Sequence, residues 1–151
     1  MVIGNKHILA IFCFFAFFIS GIQYGYSANS GEKELVRDFY QWYLHKIEHE
    51  HGSPTYDDAI YKYVSKCTAE KIRMDLKRGI VDWDYFTVSQ DTIETWESTL
   101  TVYDPIQIDE HVSIVPVNFD PHVGGPALAV FVRKENESFK IIKIEDLYGY
   151  F

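Results

Sequence analysis

The sequence predicts an α+β domain in which N-terminal helices pack on one face of a curved, four-stranded antiparallel sheet. Apolar residues in the first third of the chain recur at intervals of three and four, which is typical of amphipathic helices. After Tyr85 the apolar period changes to two, which is typical of strands with one buried face. Helices that precede a run of strands indicate the α+β class rather than alternating βαβ units.

Residues 1–27 have the pattern of a secretory signal peptide. Lys6 supplies the positive charge, the apolar run Ile8–Ile19 follows, and small residues stand at −3 and −1 of a cleavage site before Ala28. The run is shorter than the roughly 20 residues that span a bilayer, so no membrane insertion is expected after cleavage. An uncleaved N-terminal anchor is the alternative. Cleavage would leave a single domain, 28–151.

Three helical segments are predicted in the first half of the domain. The first covers Gly31–Glu50, with Asn29 as its cap. The second covers Tyr56–Val64, and the third covers Ala69–Lys77 with Thr68 as its cap and a glycine after its end.

Four strands are predicted in the second half, each bounded by turn-forming residues. They are Glu97–Tyr103, His111–Phe119, Ala127–Arg133 and Phe139–Leu147. Pro116 indicates that the second of them lies at an edge or carries a bulge, because proline cannot donate a ladder hydrogen bond. The polar residues 134–138 predict a hairpin between the last two strands.

An acidic stretch dominates the charge of the chain. From Gly79 to Val132, 54 residues contain nine acids and neither Lys nor Arg. Such a field repels nucleic acid and attracts basic partners, although neutralising lysines from neighbouring elements would make it an ordinary solvated face. Partner contacts are predicted here, in the loop 120–126 and at the aromatic C-terminus. The residues are Asp104, Asp109, Glu110, Asp120, His122, Tyr148 and Tyr150.

Catalytic and metal sites are not recognisable in the sequence. His45 and His49 share a helix face, but no third ligand is evident, and Glu48 does not stand in the H-E-x-x-H order of zinc proteases. The preferred interpretation of these histidines is a polar end of the helix, and the chain is expected to bind neither a metal nor a cofactor. Serine-nucleophile, phosphate-loop and dinucleotide motifs are absent, so the chain is interpreted as a non-enzyme.

Cys67 would be the only cysteine after cleavage, since Cys13 lies in the leader, and no internal disulfide is expected. A lone thiol in an oxidising compartment is usually buried, so Cys67 is predicted to be a small core residue. The alternative is a nucleophile that acts with a histidine, as in cysteine amidases.

The segment from Asp82 to Asp91, followed by Trp96, resembles the D-x-D-hydrophobic pair-x-x-x-Q-D signature of the YqhG-type exported domain family. That family includes immunity proteins against type VI secretion amidase effectors. The resemblance extends from about Glu34 to Tyr148, with Phe139 where the family pattern suggests Trp. It implies a cone-shaped α+β fold similar to nuclear-transport-factor and cystatin-like folds.

The resemblance carries over four motif residues, Asp82, Asp84, Gln90 and Asp91, which are interpreted mainly as caps of the turn that enters the sheet. It implies a periplasmic inhibitor that occludes a peptidoglycan amidase, and the acidic stretch suits a basic enzyme of that kind. The alternative is a periplasmic module that binds a small ligand or an envelope component without catalysis. A homodimer is left open.

Overall fold

The computed structural model describes residues 30–50, 53–90, 94–122 and 125–147. The predicted leader and its cleavage site lie outside these residues, and so do Asp91, Tyr148 and Tyr150. Within the described part of the chain, no helix is both long and apolar enough to cross a bilayer.

The first helix, α1, spans Gly31–His49, close to the predicted range. Its N-cap is Ser30, one position after the predicted Asn29, and the Ser30 side chain accepts a hydrogen bond from the Lys33 N–H at 3.4 Å. The helix buries one face, as its apolar spacing predicts. The buried residues are Val36, Phe39, Tyr40, Tyr43 and Leu44.

The predicted second helix, Tyr56–Val64, is wrong in type, because the chain forms two short 3₁₀ segments there. They are Pro54–Tyr56 and Asp58–Lys62. Asp57 separates them, since its carboxylate accepts a hydrogen bond from the Ala59 N–H at 2.8 Å and so starts a new turn.

The next helix, α2, spans Lys66–Lys77 and begins three residues before the predicted start. Its cap is Ser65 rather than Thr68, because the Ser65 hydroxyl accepts a hydrogen bond from the Thr68 N–H at 3.2 Å. The Thr68 hydroxyl instead donates to the Ile142 carbonyl at 3.0 Å and fastens α2 to the sheet. Gly79 follows the helix with a φ of 65°, a conformation that glycine adopts without strain.

The first predicted strand, Glu97–Tyr103, is wrong in its first half. A single helical turn, α3, occupies Trp96–Thr99, and a short strand, β1, occupies Thr101–Val102. Trp96 is 2% exposed and stacks on Phe119 with ring centroids 4.9 Å apart. Burial of this large ring fixes the local conformation more strongly than the β-forming residues around it do.

The sheet has five strands in the order β1–β3–β4–β5, with β2 also paired to β3 and all pairs antiparallel. The remaining strands are β2 Ile106–Gln107, β3 Val112–Asn118, β4 Ala127–Glu135 and β5 Ser138–Asp146. The last three confirm the sequence predictions, whereas β2 was not predicted because two residues carry no alternation. The prediction of an edge or a bulge at Pro116 is wrong, because β3 pairs with β4 on one side and with β1 and β2 on the other, in a continuous register with β4. The Pro116 carbonyl accepts a hydrogen bond from the Tyr103 N–H at 3.0 Å, on the side where the pairing passes from β1 to β2.

The core lies between α1 and one face of the sheet. Val115, Val130 and Ile144 face one another across three neighbouring strands and are buried. Aromatic rings of α1, of the segment after α2 and of the residue that follows β3 pack in the same core. The members of this aromatic group are Phe39, Tyr40, Tyr43, Phe86 and Phe119. The α+β class with helices on an open antiparallel sheet is therefore confirmed.

Candidate interaction surface

A combination of apolar and acidic side chains lies along the edge of the sheet at β2. We define the acidic edge as Tyr103, Asp104, Ile106, Ile108, Asp109 and Glu110, all of which are exposed. The strand β2 pairs with β3, with Ile106 opposite Ile114 and Gln107 opposite Ser113. Among the described strands none pairs with the other side of β2, which is therefore an edge of the sheet. An unpaired edge presents backbone donors and acceptors to a partner.

Three large apolar side chains of this edge are about half exposed. The exposed fractions are 45% for Tyr103, 56% for Ile106 and 55% for Ile108. The register places Ile106 beside Ile114, and Ile114 beside Phe131, on the sheet face opposite the core. Apolar surface therefore continues from the edge onto the outer face of the sheet. Sequence analysis missed these residues, because their exposure depends on the edge position of β2.

The three acids of the acidic edge differ in their hydrogen-bond and ion-pair partners. Asp104 accepts from Lys33 Nζ at 2.7 Å, yet its side chain remains 79% exposed. The carboxylate of Asp109 accepts from the N–H groups of His111 at 2.7 Å and Val112 at 2.8 Å. These two hydrogen bonds lower the pKa of Asp109, so this acid both caps the turn into β3 and keeps its charge. Glu110 lies 3.1 Å from His111 Nε2, and its side chain is 84% exposed.

Asp120 and His122 do not belong to this surface. They lie beyond one end of β3, and Asp109 lies before the other end. The seven residues of β3 span about 20 Å, since six steps of about 3.3 Å separate its first and last residues. Asp120 is also only 9% exposed, and its carboxylate accepts from the His122 N–H at 3.2 Å. Gly125 packs against it so closely that a Cβ there would lie 2.8 Å from the Asp120 nitrogen. Asp120 therefore adds little to an exposed field with Asp104, Asp109 and Glu110, since it is a structural residue of its loop. Contact of Asp120 and His122 with a partner stays a prediction.

The motif residue Asp84 is part of a buried hydrogen-bond network. Its Oδ1 accepts from the Phe86 N–H and the Thr87 N–H, each at 2.9 Å, and from the Thr87 hydroxyl at 3.2 Å. Its Oδ2 accepts from the Tyr43 hydroxyl at 2.6 Å, and that hydroxyl also contacts Thr55 Oγ1 at 2.9 Å. Asp84 thus ties the turn before α3 to the middle of α1. Asp82 and Gln90, by contrast, are exposed.

Burial raises the pKa of Tyr43 well above its usual range, and the neighbouring Asp84 carboxylate raises it further. The pKa of Tyr40 is raised for the same two reasons, in the same order. The Tyr40 hydroxyl donates to the Phe86 carbonyl at 2.9 Å. Both hydroxyls therefore serve as neutral donors that hold the turn, not as acids or bases.

Three shallow clefts adjoin the segment between α2 and this turn, and Val81 and Tyr85 line all of them. Their volumes are about 400, 310 and 340 Å³, and they open to solvent. Trp83, 42% exposed, lines the first two. They lie by α2 and β5, at the opposite side of the sheet from the acidic edge.

Cys67 lines the third cleft and is exposed, so the prediction of a small core residue is wrong. The reason is the earlier start of α2, which places Cys67 within its first turn on the solvent side. None of the described residues that line this cleft is a histidine, so the thiol lacks there the base that a Cys–His nucleophile requires.

Comparison with known proteins adds a fold match. No family model matches the chain, and no curated protein matches it in sequence. Two solved structures of the type VI effector–immunity complex Tae3–Tai3 from Ralstonia pickettii are similar to it, and the fold resembles that of the Tai3 immunity protein. The match to a chain of the native complex has a TM-score of 0.71 and a sequence identity of 25%, and it covers 79% of this chain and 97% of the matched chain. The match to a chain of the selenomethionine complex has a TM-score of 0.69 and an identity of 26%, and it covers 80% of this chain and 99% of the matched chain.

Proposed function

We propose that this protein is a periplasmic immunity protein that binds and occludes a peptidoglycan amidase effector of a type VI secretion system. The observation that carries the proposal is the fold match to the Tae3–Tai3 complexes, which covers 97% and 99% of the matched chains. The agreement with an immunity protein therefore involves a whole domain, not a shared motif. The non-enzymatic interpretation is part of this proposal. The YqhG-type label remains a prediction.

The proposed compartment rests on the leader pattern of residues 1–27. An inhibitor of a peptidoglycan-cleaving enzyme must meet that enzyme where the polymer is, outside the inner membrane. Export and inhibition therefore support each other as parts of one function.

We place the effector on the acidic edge. Interfaces combine a desolvated apolar centre with a polar rim, and this edge offers Ile106 and Ile108 beside exposed carboxylates. The carboxylates of Asp104, Asp109 and Glu110 favour a partner with a basic surface, because complementary charge accelerates encounter and disfavours wrong partners. The apolar residues then supply the contacts that hold the complex together.

The test is binding and inhibition with the product of the neighbouring gene, which the proposal requires to be a peptidoglycan amidase. The protein is recovered from the periplasmic fraction, where its intact mass should correspond to a chain that begins at Ala28. Association and dissociation rates are measured at low and high salt, with amidase activity on peptidoglycan as the second readout. We expect a tight complex in which the amidase loses its activity.

Two double variants separate charge from apolar contact. Asp104→Asn with Glu110→Gln should slow association and flatten its salt dependence, because rim charges act mainly on the encounter. Ile106→Ala with Ile108→Ala should raise the dissociation rate by about tenfold or more, equivalent to about 1.4 kcal/mol.

The matched controls are Glu70→Gln and Met74→Ala, an exposed acid and a 50% exposed apolar residue on α2 at the other side of the sheet. They should leave both rates unchanged. An amidase that stays fully active in the presence of the protein would refute the immunity function. Normal inhibition by both edge variants would keep the function and refute only its placement on the acidic edge.

The clefts around Val81 and Tyr85 favour a second candidate, a binding module for a small ligand or an envelope component. Their volumes lie at the low end of the range for ligand pockets, and their aromatic lining suits an apolar group. This candidate predicts no inhibition of the amidase, together with ligand-dependent quenching of fluorescence that is lost in Trp83→Phe.

A further inference from the structure

Two histidines and one glutamate meet at the C-terminal end of α1. His45 and His49 are one helical turn apart, with ring centroids separated by 4.6 Å. Glu97, from the single turn of α3, reaches both imidazoles. The sequence offered no third ligand for the histidine pair, because Glu97 is distant in the chain and joins them only when α3 packs on α1.

The two distances between a histidine and the carboxylate in this cluster are close to the ligand separations of a tetrahedral metal site. His45 Nδ1 lies 3.4 Å from Glu97 Oε1, and His49 Nε2 lies 3.6 Å from Glu97 Oε2. An ion bound tetrahedrally at about 2.0–2.1 Å separates neighbouring ligand atoms by about 3.3–3.4 Å. One ligand atom from each of the three residues lies within 4.8 Å of the other two. Side-chain rotations that shorten the longest of these separations would bring all three atoms onto one ion.

The surroundings hold Glu97 in place. Trp96, the preceding residue, is buried and stacked on Phe119, which anchors α3 to the core. The Glu48 carboxylate accepts from the Glu97 N–H at 3.4 Å, so a side chain of α1 caps the turn that carries the third ligand. These contacts fix the backbone of the turn that carries Glu97.

The three ligands are also accessible. Their side chains are 56%, 57% and 34% exposed for His45, His49 and Glu97, so an ion can enter, and water can complete its coordination. Two imidazole nitrogens and one carboxylate oxygen form a donor set that suits Zn²⁺ and the related divalent transition metals. Mg²⁺ and Ca²⁺ prefer oxygen ligands throughout and do not fit it.

We propose that His45, His49 and Glu97 bind one divalent transition-metal ion of the Zn²⁺ class and that this ion clamps the end of α1 to α3. The site goes beyond the proposed function, since neither inhibition nor the acidic edge requires it. Bound metal stabilises the folded chain by RT ln(1 + c/Kd), where c is the free ion concentration, because an unfolded chain does not hold the three ligands together.

The test is a Zn²⁺ titration of the purified, chelator-treated protein in competition with a chromophoric chelator. We expect one Zn²⁺ per chain, and a melting temperature that rises with Zn²⁺ but not with Mg²⁺. His45→Gln, His49→Gln and Glu97→Gln should each weaken binding by about tenfold or more and remove the thermal shift. Circular dichroism of each variant establishes that it is folded.

Two controls make the result specific to the site. His111→Gln removes an exposed histidine that also has a glutamate neighbour, Glu110 at 3.1 Å, and should change the affinity by less than about twofold. Cys67→Ser removes the exposed thiol and should also have no effect. The proposal is overturned by the absence of stoichiometric binding, by three ligand variants that bind like the unaltered chain, or by binding that is lost with Cys67.

Discussion

Replacement of Asp84 tests whether its carboxylate organises the turn that joins the helices to the sheet. Asp84→Ala removes the acceptor of four hydrogen bonds, two of them from backbone N–H groups. Those two donors belong to Phe86 and Thr87, both of which are fully buried, so each loses its protein acceptor. Asp84 itself is half-buried beside a cleft, and water that enters there would reduce the loss. Tyr43 loses less, since its hydroxyl keeps the contact with Thr55.

The size of the stability loss in Asp84→Ala follows from the two backbone N–H donors that lose their acceptor. Each buried donor without a partner costs about 1–3 kcal/mol, so Asp84→Ala should lower the free energy of unfolding by about 2–6 kcal/mol. Asp84→Asn keeps an oxygen acceptor for both N–H groups, and its NH₂ group can donate to the Tyr43 hydroxyl. We therefore expect a loss of only about 1 kcal/mol from Asp84→Asn.

The assay is urea-induced unfolding at pH 7, followed by tryptophan fluorescence and by circular dichroism so that two-state behaviour is checked. Asp82→Ala is the matched control, since Asp82 is the other aspartate of the motif and is exposed; it should shift stability by less than about 0.5 kcal/mol. Equal losses from Asp84→Ala and Asp82→Ala would refute the reasoning. A loss from Asp84→Asn as large as that from Asp84→Ala would show that charge, not the acceptor oxygen, matters.

Two further predictions concern alkaline pH and the thiol. The pKa values of Tyr40 and Tyr43 are raised in the folded state, so above pH 10 the unfolded chain releases protons that the folded chain retains. Stability therefore falls with rising pH, with a slope that approaches about 1.4 kcal/mol per pH unit for each residue. Tyr43→Phe should remove one of these two contributions in urea unfolding between pH 10 and 11, and an unchanged slope would contradict the prediction. Because Cys67 is exposed, a thiol reagent should modify it in the native protein without denaturant, and Cys67→Ser should change the free energy of unfolding by less than about 0.5 kcal/mol.

The sequence by itself determined the elements that have strong local signals. The apolar spacing of α1 is visible over five turns, and α1 forms within one residue of its predicted end. The strands β3, β4 and β5, seven to nine residues long, show alternation or a continuous apolar run. The polar turn between β4 and β5 forms where predicted, with Asn136 at a φ of 55°. In each case the pattern repeats often enough to indicate both the element and its buried face.

The tertiary structure decided the elements that are too short to carry a pattern. The strand β2 has two residues and exists because it pairs with β3, and this pairing exposes Ile106 and thereby creates the acidic edge. The turn α3 replaces the start of a predicted strand because burial of Trp96 against Phe119 outweighs local β propensity.

The tertiary structure also decided which polar residues lie together. Asp109 and Asp120 are both acids of one charge run, but β3 holds them at its two ends and buries only the second. His45 and Glu97 are far apart in the chain, and they meet because α3 packs on α1. Helix and strand periods report which way a side chain faces relative to its own element, whereas neighbours from distant segments are set by packing, which no local pattern contains.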